Sequence, residues 1–307
     1  MTGGECRIRT CGRLAAAPVF KTGAIVHSAN SPLNSPYSAI ILANFNLKRK
    51  KKNSATLRAL TLIVVLFFLS YIKITMKLAI LIPAYNEEKT LKEVIGSIPR
   101  RFPKITKIEI IVVSDGSTDK TCAIARKAKV TLIEHDLNRG LGGALGTGFE
   151  YARRQAFDLL VTFDADGQHN RDDIWPVLEP LVKRRADVVV GSRLKSLKSR
   201  TNDMPWYRII GIWGLNLITF LFFWVWTTDS QSGLRAFNRK AIEKIDIQTN
   251  KMEVSSEFFY EIGRKGLKLL EVSITSIYTK YSLGKGQKNI NGFRIISKLI
   301  YRRFFSK

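Results

Sequence analysis

Cysteine and histidine are scarce in this sequence of 307 residues, which contains three of each. The cysteines, Cys6, Cys11 and Cys122, match neither the spacing of a zinc site nor the pattern of a disulfide framework. This scarcity excludes a cysteine-stapled secreted domain and a cysteine-based metal centre as the organising feature. It indicates a reducing, cytoplasmic setting.

Acidic residues are also few, with 25 Asp and Glu against 50 Lys and Arg, for a formal net charge of +25. A surplus of this size suggests nucleic acid, anionic lipid or a phosphorylated substrate as partner. The imbalance is steepest in the first 75 residues, which hold eleven basic side chains and one acid, Glu5. Residues 76–307 carry a milder surplus of +15.

Residues 1–75 lack the features of a folded domain. A charge run at Lys48–Lys52 (KRKKK) precedes the apolar stretch Ala59–Ile72, whose fourteen residues fall short of the roughly 18 to 20 that a membrane span needs. This stretch is open to interpretation as a signal-anchor or, less readily, a signal peptide. We favour a third interpretation, that 1–75 is not part of the working protein, since Met76 begins MKLAILIPAYNEE and looks like a natural start.

A glycine is missing where a dinucleotide-binding fingerprint needs one. The run from Gly140 to Gly148 (GLGGALGTG) has Leu145 at the last glycine position of G-x-G-x-x-G, and it follows the third strand rather than the first. The pattern therefore disfavours a Rossmann dehydrogenase. The small residues at 140, 142, 143 and 144 predict a helix packed close to the sheet, and Asn138 and Arg139 could reach a ligand.

From Met76 onward, short apolar runs alternate with helical patterns. Near-continuous apolar strands separated by helices predict an α/β fold with a parallel sheet covered on both faces. In such a sheet, ligands bind outside the carboxyl ends of the strands. The runs predict strands at Leu78–Ile82, Ile108–Val113, Val130–Glu134, Leu159–Phe163 and Val188–Gly191, with helices near Glu87–Ile98, Asp119–Lys129, Leu141–Arg154 and Asp172–Arg184.

Polar clusters follow three of the predicted strands. In PAYNEE, Tyr85 can stack on a base and Glu87 can accept hydrogen bonds, although Asn86–Glu88 also fits a helix N-terminus with first-turn acids. In SDGSTDKT, Asp115 ends its strand and is the better candidate for a ligand contact. Thr118 and Asp119 are plausible helix caps.

The third cluster, DADGQH, places Asp164 and Asp166 one residue apart at the end of an apolar strand. Two carboxylates in this position can share a hard divalent cation that bridges a diphosphate. The alternative is a local Asx turn. The DADGQH cluster lies at the same sheet edge as the two other polar clusters, and this placement favours the metal interpretation.

These motifs, taken in order, resemble those of family-2 glycosyltransferases, and most closely the branch of dolichol-phosphate mannose synthases and other polyprenyl-phosphate glycosyltransferases. The resemblance covers about residues 76–285. The motifs that carry it are Pro83–Glu87 (PAYNE), Asp115–Asp119 (DGSTD), Asn138–Gly140 (NRG), Asp164–Gln168 (DADGQ) and Gly191–Arg193 (GSR).

The resemblance implies a GT-A fold, a nucleotide-sugar donor (GDP- or UDP-hexose) and an inverting displacement. It implies that Mg²⁺ or Mn²⁺ is held by Asp164, Asp166 and Gln168, and that Arg193 meets phosphate. The donor-binding residues it implies are Pro83, Tyr85, Glu87, Val113, Asp115, Asp164, Ala165, Asp166, Arg193 and Lys285. Thr279 stands where the branch has an arginine six residues before that lysine, so donor choice stays open.

The second half bears on the acceptor. Ile209–Trp226 is uncharged and rich in Trp and Phe, so by length alone it could span a bilayer. A single crossing would separate the following segment, Asp229–Arg235 (DSQSGLR), from Asp164, so we expect a helix at the lipid interface. The basic amphipathic stretch Phe293–Lys307 also fits a membrane surface, which makes anionic lipid a better partner than nucleic acid for the surplus charge.

The sequence therefore predicts transfer of a hexose, mannose or glucose, to a polyprenyl (dolichyl or undecaprenyl) phosphate. The alternative is a family-2 enzyme that acts on a polysaccharide or another non-lipid acceptor. The predicted parts are an extension at 1–75, a GT-A domain at 76–285 with an interfacial helix at 206–226, and a C-terminal helix at 286–307, on the cytoplasmic face of the membrane. We expect Asp164, Asp166, Arg193 and Arg208 to be catalytic, and the acceptor to be bound by Arg208, Gln231, Ser232 and Arg235.

Overall fold

The computed structural model describes residues 7–9, 75–195, 206–275 and 277. All of the described residues belong to one compact unit. The described strands form one eight-stranded sheet in the order β1-β4-β3-β2-β5-β7-β6-β8. Their bounds are β1 Arg7–Arg9, β2 Met76–Ala84, β3 Ile105–Asp115, β4 Thr131–His135, β5 Leu159–Thr162, β6 Val188–Ser192, β7 Arg235–Asn238 and β8 Leu269–Ser273.

The centre of the sheet is parallel, as the sequence predicts. Strand β2 pairs in parallel with both β3 and β5, β3 pairs in parallel with β4, and β6 does so with β8. Strand β7, which the apolar pattern did not reveal, runs antiparallel between β5 and β6. Because β2, β3 and β5 are parallel neighbours, their carboxyl ends lie at one edge and bring the three polar clusters together.

Helices cover both faces of the sheet, so successive residues of a strand enter two different cores. Leu78, Ile80 and Ile82 of β2 belong to one core, whereas Ala79 and Leu81 belong to the other. The helices are α1 Leu91–Ser97, α2 Thr121–Lys127, α3 Leu141–Arg154, α4 Ile174–Val182, α5 Trp206–Phe223, α6 Arg239–Lys244 and α7 Val254–Arg264. Helices α1, α2 and α4 close the first core, and α3, α6 and α7 close the second.

The glycines of α3 make two different close approaches. A Cβ at Gly148 would lie 2.8 Å from Cγ of Leu81, so this glycine does let the helix approach the sheet. A Cβ at Gly142 would instead lie 2.7 Å from the carbonyl carbon of Thr249, and one at Gly140 would lie 3.1 Å from that of Asn250. The prediction that the small residues at 140, 142, 143 and 144 let the helix pack close to the sheet therefore does not hold for Gly140 and Gly142, which face the 249–250 backbone, or for Gly143, which faces the side chain of Arg139.

Helix α5 has its apolar side chains on the outside. The exposed residues recur at the helical period along one face, and the list is Ile210, Trp213, Leu217 and Leu221. The inward side carries Ile212 and two polar residues, Asn216 and Thr219, all buried. Among the residues that the structure describes, no helix is long and apolar enough to cross a membrane. The predicted C-terminal helix at 286–307 lies outside the described residues.

Candidate active site

The first two polar clusters are tied together by hydrogen bonds at the edge of the sheet. The backbone N–H of Asn86 donates to the hydroxyl of Ser117 (3.2 Å), and the Asn86 side-chain oxygen accepts from the N–H of Thr118 (2.9 Å). Asn86 has a φ of 53°, a left-handed conformation that asparagine tolerates better than most residues. Helix α1 begins at Leu91, and the N–H groups of Thr90 and Leu91 donate to the carbonyl of Glu87 (3.2 and 3.0 Å). The turn that leads into α1 therefore starts within Asn86–Glu88, in agreement with the interpretation of this segment as a helix N-terminus.

The residues expected to bind the nucleoside divide into exposed and buried groups. Tyr85 is 47% exposed at the edge, where its ring is open to a planar ligand. Glu87 is buried, and its N–H donates to the Thr121 hydroxyl (2.8 Å). Pro83 and Val113 are neighbours within the paired strands β2 and β3, and their side chains are buried. Nucleoside binding by these residues stays a prediction, and for Val113 it would involve the backbone, since the side chain packs in the core.

Asp115 is buried and holds the loop before α3. Its carboxylate accepts hydrogen bonds from the N–H groups of Arg139 (2.9 Å) and Gly140 (2.6 Å), and one oxygen lies 2.7 Å from Nδ1 of His135. Burial alone would raise the pKa of Asp115, but these contacts outweigh it and hold the pKa below its usual value. Asp115 therefore fixes the 138–140 loop beside the position predicted for the nucleoside.

Asp164 and Asp166 sit in contrasting electrostatic surroundings. Burial works against the charged form of Asp164, but the charges of His169, Arg235 and Arg193 outweigh it and hold its pKa below the usual value. His169 Nε2 lies 2.9 Å from Oδ2 of Asp164. For Asp166, burial and the negative charge of Asp164 raise the pKa to about 6. The Asx turn considered above is present too, because Oδ1 of Asp166 accepts from the N–H of Gln168 (2.9 Å).

The donor set at this loop fits a hard divalent cation. Two carboxylates that repel each other are stabilised by a positive charge between them, and Mg²⁺ commonly uses only one or two carboxylates together with phosphate and water oxygens. Within the described ranges, no group of three or more His, Cys, Asp or Glu side chains could hold a metal by itself. Asp164 and Asp166 thus suit a cation that is shared with a diphosphate, as the sequence predicts, rather than one caged by protein alone.

The turn before β7 closes tightly over Asp164. A Cβ at Gly233 would lie 2.6 Å from both Cγ and Oδ1 of Asp164, and closer still to Oδ2. The Gly233 carbonyl accepts a hydrogen bond from the hydroxyl of Thr162 in β5 (2.7 Å), which holds this turn in place. The backbone at 233 therefore forms one wall of the carboxylate site, and only glycine leaves enough room for it.

Arg193, at the end of β6, is held by a buried carboxylate. Its Nε donates to Oδ2 of Asp229 (2.7 Å) and its Nη2 to Oδ1 (2.8 Å), a bidentate pair. The Arg193 N–H also donates to Oδ2 (3.1 Å). Asp229 is fully buried, so the guanidinium is fixed at the same edge as Asp164, whose pKa it lowers.

Arg235 lies in the protein interior rather than at an open surface. Its Nε donates to the carbonyl of Ser232 (2.8 Å), its Nη2 donates to that of Ser230 (2.9 Å), and the guanidinium lies 4.8 Å from the ring centre of Phe258. Burial lowers the pKa of Arg235 to about 10, and the nearby acids Asp164 and Asp229 partly oppose that shift. We expected Arg235 at the acceptor; in this structure its guanidinium organises the 230–235 turn, and acceptor contact stays a prediction.

The structure gives less information on the remaining residues that were predicted to bind acceptor or donor. Ser232 is buried, and its hydroxyl has no hydrogen-bond partner among the described residues. Gln231 is half-buried, and its side-chain amide donates to the hydroxyl of Ser230 (3.3 Å). Arg208 belongs to the first turn of α5, but its side chain lies outside the described part of the chain, as does Lys285. The roles of all four in binding stay predictions.

Several residues that shape the site were not predicted as site residues. Asp229, Gly233, His135 and His169 touch Arg193, Asp164 or Asp115 directly. The signal for Asp229 and Gly233 was present in the DSQSGLR segment, but their partners are more than 30 residues away in sequence. Nothing in the sequence pattern pointed to His135, which lies within a strand and bridges Asp115 and the hydroxyl of Thr147 (2.9 Å).

A family model described as glycosyl transferase family 2 matches residues 79–246, a range that includes Asp115, Asp164 and Arg193. The chain belongs to glycosyltransferase family 2. It is a glycosyltransferase with a GT-A-like α/β fold, as the motifs at the strand ends predicted.

Three relatives of this glycosyltransferase illustrate the range of the family. An uncharacterised protein of Methanocaldococcus jannaschii is 45% identical over 74% of this chain and 92% of its own length. The UDP-N-acetylglucosamine–dolichyl-phosphate N-acetylglucosaminyltransferase of Methanococcus voltae is 38% identical over 72% of this chain and 94% of its own. The polyprenol monophosphomannose synthase of Mycolicibacterium smegmatis is 28% identical over 72% of this chain and 84% of its own length.

Among solved structures, glucosyl-3-phosphoglycerate synthase of Mycobacterium tuberculosis, in complex with Mn²⁺, UDP and glucosyl-3-phosphoglycerate, shares the fold of this glycosyltransferase. The TM-score is 0.52 at 17% identity, over 74% of this chain and 80% of the other. At that identity the likeness establishes the fold alone.

Proposed function

We propose that this glycosyltransferase transfers a sugar from a nucleotide-sugar to a polyprenyl phosphate, with a divalent cation at Asp164 and Asp166. The observation that carries the proposal is the position of Arg193, an arginine that the buried Asp229 fixes at the same edge as Asp164 and whose charge lowers the pKa of Asp164. An arginine in that position can bind a phosphate next to the bound donor. The names of the Methanococcus voltae and Mycolicibacterium smegmatis relatives support a lipid-phosphate acceptor.

The proposed reaction is an inverting displacement. A phosphate oxygen of the acceptor attacks the anomeric carbon of the sugar as the bond from that carbon to the nucleoside diphosphate breaks. The attacking oxygen is already an anion, so Arg193 needs only to orient it, and no strong general base is required. Asp164 and Asp166 would hold Mg²⁺ or Mn²⁺, which supplies charge to stabilise the diphosphate leaving group.

The donor is proposed as a UDP- or GDP-sugar whose base lies near Tyr85. The sequence favoured a hexose, mannose or glucose. The relative from Methanococcus voltae is named for a UDP-N-acetylglucosamine donor and that from Mycolicibacterium smegmatis for mannose. We therefore extend the candidate sugars to N-acetylglucosamine.

The test is a panel of radiolabelled donors with two kinds of acceptor. The purified protein is incubated with Mg²⁺ or Mn²⁺, each of UDP-N-acetylglucosamine, UDP-glucose and GDP-mannose, and either undecaprenyl or dolichyl phosphate. We expect label to enter the organic phase with one donor and to be lost in excess chelator. If no label enters the organic phase with any donor, while a parallel reaction with a soluble polysaccharide acceptor becomes labelled, the non-lipid alternative would be supported instead.

We also propose that α5 docks on the cytoplasmic surface of an anionic membrane. Its outward face presents Trp213, Leu217 and Leu221, each at least half exposed, as a continuous apolar stripe, and the chain carries a surplus of basic residues. An apolar helix face together with basic charge is the combination that binds an anionic interface. This position would also place a lipid-linked acceptor near Arg193.

Replacing apolar side chains on this outward face should weaken membrane binding. For Trp213→Ser with Leu217→Ser, we expect binding to vesicles of phosphatidylglycerol and phosphatidylcholine, measured by co-sedimentation, to fall by about tenfold or more, since each side chain loses roughly 1.5–3 kcal/mol of burial. A matched control is Leu137→Ser, an exposed leucine in the loop after β4. Equal binding by the double variant and the wild type would contradict docking through α5.

A further inference from the structure

A single amide joins the apolar helix α5 to the segment that carries Asp229. Asn216 is 2% exposed and lies on the inward side of α5. Its Nδ2 donates to the carbonyl of Thr228 (2.7 Å), and its Oδ1 accepts from the N–H of Ser230 (2.9 Å). The two backbone groups flank Asp229. The Asn216 side chain therefore hydrogen-bonds to the backbone on both sides of the residue that binds Arg193.

The energetics favour a specific role for this contact. A polar side chain buried in an apolar helix is costly unless it is hydrogen-bonded, and both ends of the Asn216 amide are satisfied by the same three-residue segment. The neighbouring position one turn along, Thr219, is equally buried but its hydroxyl has no partner among the described residues. A buried polar side chain on this helix therefore does not automatically find a hydrogen-bond partner. The two hydrogen bonds of Asn216 depend on its position opposite Thr228 and Ser230.

A second network fixes the same segment from the opposite side. The Glu271 carboxylate on β8 accepts from the hydroxyl of Thr227 (2.6 Å) and from the N–H of Thr228 (2.7 Å). The Thr228 hydroxyl also lies 2.6 Å from that of Ser192, the residue before Arg193. Asp229 is thus clamped between the edge strand β8 and helix α5, and its carboxylate has a defined direction toward the guanidinium.

We propose that Asn216 is a positioning residue that sets the orientation of Arg193 through Asp229, and so links the outward-facing helix α5 to the phosphate-binding arginine. The proposal rests on the proposed function, in which Arg193 orients the acceptor phosphate. Asn216 itself touches neither substrate. A displacement of α5 relative to the sheet would shift Thr228 and Ser230 through these hydrogen bonds, and with them Asp229 and the Arg193 guanidinium.

The test combines a double-mutant cycle with hydrogen exchange. Asn216→Leu removes both hydrogen bonds, and Asn216→Ser removes both with a smaller, uncharged side chain should the leucine variant fold poorly. Thr219→Val is the matched control, since it changes a buried polar side chain on the same helix without removing a hydrogen bond found in the described residues. All variants are assayed as full chains with donor, Mg²⁺ and citronellyl phosphate, a soluble polyprenyl phosphate.

We expect kcat/KM for citronellyl phosphate to fall about tenfold in both Asn216→Leu and Asn216→Ser, because a misoriented group near the reacting atoms is costly. Nucleotide binding by calorimetry and transfer by Thr219→Val should match the wild type. In an Arg193→Ala background, Asn216→Leu should cost less than about twofold further, since both changes remove the same interaction. Additive losses, or a parallel loss of nucleotide binding, would overturn the proposal.

Hydrogen exchange separates this inference from the proposed function. The Ser230 amide should exchange at least about tenfold faster in Asn216→Leu than in wild type, with helix α7 unchanged, because its acceptor is gone. If the wild type shows no transfer to any polyprenyl phosphate, the proposed function fails. Exchange at Ser230 then decides the positioning role alone, and an unchanged rate overturns it.

Discussion

Asp164→Asn and Asp166→Asn should each abolish sugar transfer. A neutral amide is a much poorer ligand than a carboxylate for Mg²⁺ or Mn²⁺, and a metal ion supplies several kcal/mol of charge stabilisation to a departing diphosphate. A loss of that size corresponds to a decrease in rate on the order of a thousandfold. The measurement is transfer of radiolabelled sugar at saturating donor, accompanied by calorimetry of UDP or GDP binding with and without Mg²⁺.

The two substitutions should leave the fold intact. An asparagine at 164 can still accept a hydrogen bond from His169, and Asp166 is incompletely buried, so we expect melting temperatures near that of the wild type. Asp172→Asn is the matched control, since it removes the same charge from a side chain that is 77% exposed in the same loop region. Undiminished transfer by either site variant, or by the wild type in excess chelator, would refute the metal assignment.

Gly233→Ala should also lower the rate of sugar transfer strongly, although it adds only one methyl group. The new Cβ would fall within 2.6 Å of the Asp164 carboxylate, far inside van der Waals contact. The Thr162 hydroxyl holds the Gly233 carbonyl, so the carboxylate is the part that must move. A displacement of about 1 Å near the reacting atoms can lower the rate on the order of a hundredfold.

This substitution tests space rather than backbone strain. The positive-φ glycines are at other positions, so alanine can adopt the conformation found at 233. Gly96→Ala is the matched control: Gly96 is an exposed glycine of α1, and a Cβ there would meet nothing within 4 Å. We expect Gly96→Ala to transfer sugar at the wild-type rate. Wild-type transfer by Gly233→Ala, with cation-dependent nucleotide binding unchanged, would show that the wall at Gly233 is not needed.

Much of the fold follows directly from local sequence patterns. Unbroken apolar runs can be satisfied only by strands buried on both faces, which is why Ile108–Val113 and Leu159–Phe163 predicted the centre of a parallel sheet. Strand β7 escaped prediction because its four residues, RAFN, include a charged arginine that only burial among Phe258 and two backbone carbonyls makes acceptable. A pattern based on side-chain polarity cannot anticipate such long-range compensation.

The sequence by itself determined which residue types stand at the strand ends, and hence the family and the pair Asp164 and Asp166. Only the tertiary structure decided which partners those residues have. Arg193 meets Asp229 36 residues away, and Gly233 lies against Asp164 69 residues away. Asn216 lies in a mostly apolar stretch, and its role depends on which side of α5 faces the protein. The physical reason is that burial and hydrogen bonding depend on packing between distant segments, which local periodicity does not encode.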